Sequence, residues 1–144
     1  MEENPGEKSE ILALSRTQAL SRGLTIDLTL PNSRTCQICK YYFGPNSYVS
    51  ISQKAMRVLQ EAIDDSDGLM TMDVLILGIC VSAKHETVGK DKPETAINKV
   101  NDFIFPYTVF TKRLDSYEFL LRCVTRFEEN YRVKVVTILH VGDR

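Results

Sequence analysis

Catalytic signatures are what this sequence lacks most. Its seven glycines are isolated, so no glycine-rich loop can cradle a phosphate on successive amides. It holds only two histidines, His85 in a charged stretch and His140 on the polar face of the last apolar run. Neither stands in a motif that pairs a base with a nucleophile, so acyl-transfer chemistry has no candidate and both read as surface histidines. The longest apolar run, 69 to 81, is broken by Thr71 and Asp73 and falls short of the roughly 20 residues that span a bilayer. Charge of either sign is not in excess: the net charge is -1 and the pI about 6.1. Binding to nucleic acid or an anionic membrane would therefore need a local patch. No basic segment leading into an apolar stretch opens the chain, and the four cysteines are expected to be reduced, in an intracellular setting.

What is present is a domain. At 144 residues and 43% hydrophobic, the chain can bury one core but not two. The first ten residues, MEENPGEKSE, hold four Glu against one Lys and show no apolar periodicity, so residues 1–20 are expected to be a flexible acidic tail and 21–144 the folded domain. Within the tail, Ile11, Leu12, Leu14 and Leu20 offer a short helix that could dock on the domain or on a partner.

From Gly23 the period becomes two: Leu24, Ile26, Leu28 and Leu30 share one face, which predicts a strand ended by Pro31 and Asn32. TCQICKYYF alternates less cleanly and is followed by the turn FGPNS, so 35–48 reads as a half-buried strand with an aromatic loop. Ser50-Ile51-Ser52-Gln53 fits a capping box with Ser50 as the cap. The helix behind it carries Ala55, Met56, Leu59, Ala62 and Ile63 inward and stops at DDSDG, with Gly68 in a left-handed position. Residues 69–83 are apolar nearly all round; their length selects a helix over a buried strand. KHETVGKDKPET, 84–95, has no apolar face and reads as an exposed loop, with a short helix from Ala96 to Phe103 after it.

Three strands are expected next. FIFPYTVF contains Pro106, which cannot donate to a ladder and points to a sheet edge or bulge. SYEFLLRCVTRF places Tyr117, Phe119, Leu121, Cys123 and Phe127 on one face. YRVKVVTILHV places Tyr131, Val133, Val135, Leu139 and Val141 on one face, joined to the preceding run by a turn at 128–130. The fold class that follows is α+β: one domain, a twisted antiparallel sheet packed on two main helices.

Three sites present candidate chemistry. Cys36-x-x-Cys39 has zinc-ligand spacing but supplies two ligands where a structural site needs four, and on a strand the two would point to opposite faces. The bland reading, buried or half-buried thiols, is the better one, and neither a metal nor a cofactor is expected. Asp65-Ser66-Asp67-Gly68 looks like part of a calcium loop, yet that register puts Ile63 and Val74 where carboxylates are required, so it is a helix-ending turn. Tyr41, Tyr42 and Phe43 beside Arg34 and Lys40 could stack bases and meet phosphates, although aromatic residues more often complete a core.

The order of these segments resembles the core of rhabdovirus matrix proteins, in particular the compact, plant-infecting type. The likeness runs over roughly residues 20 to 141 and rests on GLTIDLTL, SISQKAMRVLQEAIDD, MDVLILGICVSA, the charged loop, FIFPYTVF and the paired runs SYEFLLRCVTRF and YRVKVVTILHV. It implies a non-enzymatic structural protein that self-associates and bridges a nucleocapsid to the inner face of a membrane during virion assembly, without a small-molecule substrate. Its partners would be itself in an open-ended oligomer, a viral nucleocapsid protein and the membrane, with RNA a further one. It would reside in the virion and in the host cytoplasm at a membrane, with the nucleus as a further compartment. By position the family's exposed loop falls on Lys84, His85, Val88, Lys90 and Lys92, which become candidates for self-association or membrane contact. The family's basic arm and proline-rich late-domain motif have no counterpart in the acidic N-terminal residues. Two other readings stand beside this one: a single-stranded RNA-binding protein or silencing suppressor using Arg34, Lys40, Tyr41, Tyr42 and Phe43, and a zinc-dependent interaction module using Cys36 and Cys39.

Overall fold

In the computed structural model, which describes residues 10–66, 68, 70–88, 101–110, 116–129 and 132–143, a short helix α1 (Arg16–Ser21) leads into strand β1 (Thr25–Asp27) and helix α2 (Arg34–Phe43). Strand β2 (Ser47–Ser52) then runs directly into helix α3 (Gln53–Asp65), which is followed by helix α4 (Met72–Val88). Strands β3 (Asn101–Phe110), β4 (Ser116–Glu128) and β5 (Val133–His140) complete the chain. The strands form one sheet in the order β1-β2-β5-β4-β3. Pairing is antiparallel except between β2 and β5, which run parallel. The domain is thus α+β and single, as the composition implies, with one parallel pair that local pattern did not announce.

Helices α2, α3 and α4 cover one face of the sheet. There Val49, Ile51, Phe105, Tyr107, Phe119, Leu121, Cys123, Val136 and Ile138 meet Cys39, Leu59, Ala62, Leu75, Ile76, Ile79 and Cys80. The opposite face carries a smaller cluster, Ile11, Ala19, Val124 and Leu139, with Leu12, Leu14 and Leu24 against it. Because both faces are covered, Val135 to Leu139 are all buried, and the alternation that marks a half-exposed strand disappears. That erasure misdirects the reading of β5. The residues that share the helix-covered face with Cys123 are Val136 and Ile138, whereas Leu139, expected on one face with Val135, joins the cluster on the other side of the sheet. Tyr131 lies outside the described residues.

Several expectations are corrected. Residues 10–20 belong to the domain: Ile11 is 6% exposed, and α1 opens with a capping box in which Ser15 accepts from the Gln18 amide while the Gln18 side chain takes the Ser15 N–H. β1 is shorter than its apolar pattern, because the Asp27 carboxylate accepts from both the Thr29 amide, at 2.8 Å, and the Thr29 hydroxyl, bending the chain away from the ladder. Leu30 is left 56% exposed. The segment 34–43 is a helix rather than a strand: Ser33 caps it by accepting from the Cys36 amide at 3.1 Å, and Ile38 and Cys39 dock on the core. The cap of α3 is Ser52, which accepts from the Ala55 amide at 3.1 Å, while Ser50 lies within β2.

The expectations for the later elements hold in part. The helix expected over 69–83 is α4, which begins at Met72 and runs on through Lys84, His85 and Glu86 into the expected loop, of which 89–95 lie outside the described residues. Asn101–Phe103 are strand rather than helix, and Pro106 sits on β3, an edge strand, where its missing N–H costs the sheet nothing. Gly68 takes a positive φ of 85° just beyond α3.

Candidate functional site

Helix α4 is built for contact on every side. Leu75, Ile76, Ile79, Cys80 and Ala83 face the sheet and are buried, as the 3.6-residue period requires. Its outward stripe is apolar as well: Val74 is 50% exposed, Leu77 39% and Val81 46%. These three fall at i, i+3 and i+7, the spacing of a coiled-coil seam, and span about 10 Å of helix. Surface helices ordinarily carry polar residues there. The stripe borders a groove against α2, about 450 Å3 in volume, lined by Arg34, Gln37, Ile38, Asp73, Val74 and Leu77. Asp73 lies in the first turn of α4, where its sign matches the helix dipole, and Lys84, His85 and Glu86, of mixed charge, lie toward the other end.

A second site forms where α2 ends. Lysines from three elements reach the backbone of Tyr42 to Pro45. Lys84 of α4 donates to the Tyr42 carbonyl at 3.4 Å, Lys134 of β5 to the Phe43 carbonyl at 2.9 Å, and Lys40 of α2 to the Pro45 carbonyl at 3.1 Å. Burial lowers the Lys134 pKa, and the nearby charge of Lys84 lowers it further. The Arg16 guanidinium lies 4.3 Å from the centre of the Tyr48 ring and the Lys40 ammonium 5.1 Å, so that ring is already occupied by cations. Tyr41 is 82% exposed, held edge-on to Tyr42 with ring centres 5.0 Å apart.

Of the five residues proposed for nucleic-acid contact, the structure places Lys40, half-buried, and Tyr41, exposed, at this turn. Tyr42 and Phe43 stand beside them but are half-buried against the core. Arg34, nine residues before Phe43, lies at the other end of α2 in the groove with Asp73. Lys84 and Lys134 join the cluster, a convergence that no local pattern could signal because the three lysines come from elements far apart in sequence. Of the proposed loop residues, Lys84 and His85 are helical, Val88 ends the helix backbone, and Lys90 and Lys92 lie outside the described residues.

A third feature is a cleft of about 430 Å3 beside the β3 and β4 strands, lined by Asp102, Phe103, Ile104, Arg122, Leu139, His140, Val141 and Asp143. Its polar groups serve the fold. Arg122 grips Asp102 through two hydrogen bonds, the Nε bond at 2.7 Å. Asp143 accepts from the Ser52 hydroxyl and from the His140 amide, and His140 Nδ1 accepts from the Gly142 amide at 3.0 Å. The arrangement leaves His140 tied into a turn rather than aimed at a nucleophile.

Three of the four cysteines, Cys39, Cys80 and Cys123, are buried. Cys39 is fully buried, Cys36 half-buried, and they lie one turn apart on α2. Among the described residues no three His, Cys, Asp or Glu side chains converge as metal ligands. Cys80 shares a hydrogen bond with Cys39, which with burial drives its pKa upward, and burial pushes the Cys123 thiol up to about 12. These are small apolar side chains of the core.

Comparison of the chain with protein-family models, with curated protein sequences and with solved structures gives no match.

Proposed function

We propose that this chain is a non-enzymatic structural protein of the matrix type, which associates with copies of itself and links a viral nucleocapsid to the inner face of a membrane. The observation that carries the self-association is the solvent-facing stripe Val74, Leu77 and Val81 on a helix whose other side is already committed to the core. Its occupant in this reading is the same stripe of a second copy. Antiparallel pairing of two α4 helices brings Val74 of one copy near Val81 of the other and sets Asp73 of each toward the end of its mate that carries Lys84 and His85. Pairing of this kind joins two copies; further surfaces must extend the array. Among the described residues no helix is long and apolar enough to cross a membrane, so membrane contact in this reading is peripheral.

Sedimentation velocity across protein concentration and salt tests the reading. Concentration-dependent association, abolished by Leu77→Glu while the circular dichroism spectrum is retained, is the expected result. A monomer under all conditions, or association indifferent to Leu77→Glu and to Val81→Glu, would sink it.

A further inference from the structure

We infer that the turn closing α2 is a binding site for single-stranded nucleic acid, in which Lys40, Lys84 and Lys134 meet backbone phosphates and Tyr41 stacks on a base. Three ammonium groups from three elements are fixed around the backbone of Tyr42 to Pro45, at 2.9 to 3.4 Å from its carbonyls. A carbonyl accepts one of an ammonium's three N–H donors and leaves its charge in place. Lysines near a helix end do satisfy its last carbonyls, and that is the structural part of their work. Helix capping alone, however, does not call for like charges close enough that Lys84 lowers the pKa of Lys134. Such a cluster gains from an anion that spans several cations at once.

The identity of the anion follows from the aromatic next to it. Tyr41 exposes 82% of its surface, and its edge-on contact with Tyr42 fixes its orientation while leaving a ring face open. An aromatic face beside fixed cations matches the alternation of base and phosphate along a single strand. A duplex keeps its bases stacked inside and cannot use that ring. A lipid surface rewards several mobile cations spread over a flat face, rather than ammoniums pinned to a turn. Sequence preference is not expected, because every base has a π-face and no side chain here is arranged to read base edges. The inference is independent of self-association through α4.

Fluorescence anisotropy of the full chain with a labelled oligouridylate strand is the test, run beside a duplex of equal length and phosphatidylserine-containing vesicles. Binding should weaken from about 50 to about 200 mM salt, with a log–log slope near -2 for three phosphates. Tyr41→Ala should weaken it about fivefold or more, the lower end for loss of one stacked base. The pair Lys84→Gln and Lys134→Gln should weaken it comparably and flatten the salt slope, whereas Lys134→Arg, which keeps the charge, should bind as the parent does. Should Lys134→Gln disturb the fold by circular dichroism, Lys40→Gln on the α2 surface carries the same expectation. Absence of binding at about 100 µM protein in low salt, the weak end of non-specific association, would overturn the proposal. Binding indifferent to these variants would overturn the site, and binding to vesicles without binding to the strand would assign the cluster to a membrane surface instead.

Discussion

The guanidinium of Arg126 lies 2.6 Å from the carbonyl oxygen of Leu14 and donates a second hydrogen bond to that of Leu12, at 2.9 Å. It joins β4 to a segment more than a hundred residues earlier in the chain. Glu128, ion-paired to Arg126, accepts from the Arg16 amide, and Arg16 in turn pairs with Asp27 at 2.9 Å. Charged groups at the rim thus fasten the cover that Ile11, Leu14 and Ala19 form over the back of the sheet.

Replacing Arg126 with Met removes the two donors and leaves the two carbonyls to water. The expected loss is about 1.5–3 kcal/mol, the range for hydrogen bonds to charged groups. Amide exchange at Ala19 and Leu24 should accelerate before that of Val136 does. Uniform acceleration across the sheet, or none, would show that the segment is not held in this way.

Gly78 allows α4 to approach β3 closely, since a Cβ at that position would lie 2.8 Å from Cε1 of Tyr107 and closer still to its hydroxyl. Tyr107 is fixed there by donating to the Leu75 carbonyl at 3.1 Å. Gly78→Ala should cost about 1–3 kcal/mol in urea denaturation, the usual penalty of overpacking. In the double variant with Tyr107→Phe, which removes the hydroxyl, the penalties should fall below their sum, the signature of residues in contact. Strict additivity would place the strain elsewhere.

Alkali should unfold the protein through its buried acids. Burial raises Cys123 from 9.0 to about 12, and burial with the neighbouring Cys80 raises Tyr107 from 10.0 to about 12. Each group ionises more readily in the unfolded chain, so the stability it contributes is complete below pH 9 for Cys123 and pH 10 for Tyr107, and is lost as pH rises toward 12. The slope approaches about 1.4 kcal/mol per pH unit for each group in its window. Cys123→Ala should flatten the loss that begins near pH 9. An unchanged pH profile would mean that the thiol ionises equally well in the folded state.

The start of α3 can be located by substitution. Ser52→Ala should cost about 1–2 kcal/mol, because it removes the cap of the Ala55 amide and with it the bond to Asp143. Ser50→Ala, within β2, should cost less than half as much. Thermal melts of the two variants decide between them, and a larger effect at Ser50 would put the helix start two residues earlier.

Elements whose surroundings are simple were legible in the sequence. Helix α3 has one face in the core and one in water, so its period of 3.6 survives in the residue pattern, and β3 declares itself an edge through Pro106. Residues 69–83 announced a helix by length, although the pattern carried no sign that α4 continues to Val88 or that Val74, Leu77 and Val81 face outward.

Tertiary structure decided the rest, because the deciding partners are distant in sequence. Helix α2 reads as a ragged strand until Cys39 and Ile38 are set against the core and the Ser33 hydroxyl caps the Cys36 amide. The alternation of β5 is erased because α1 and its flanking leucines bury the face that an open sheet would leave wet. Lys40, Lys84 and Lys134 carry no common motif; their convergence follows from docking α2 and α4 on the sheet beside β5, where three separate backbones bring three like charges to one turn.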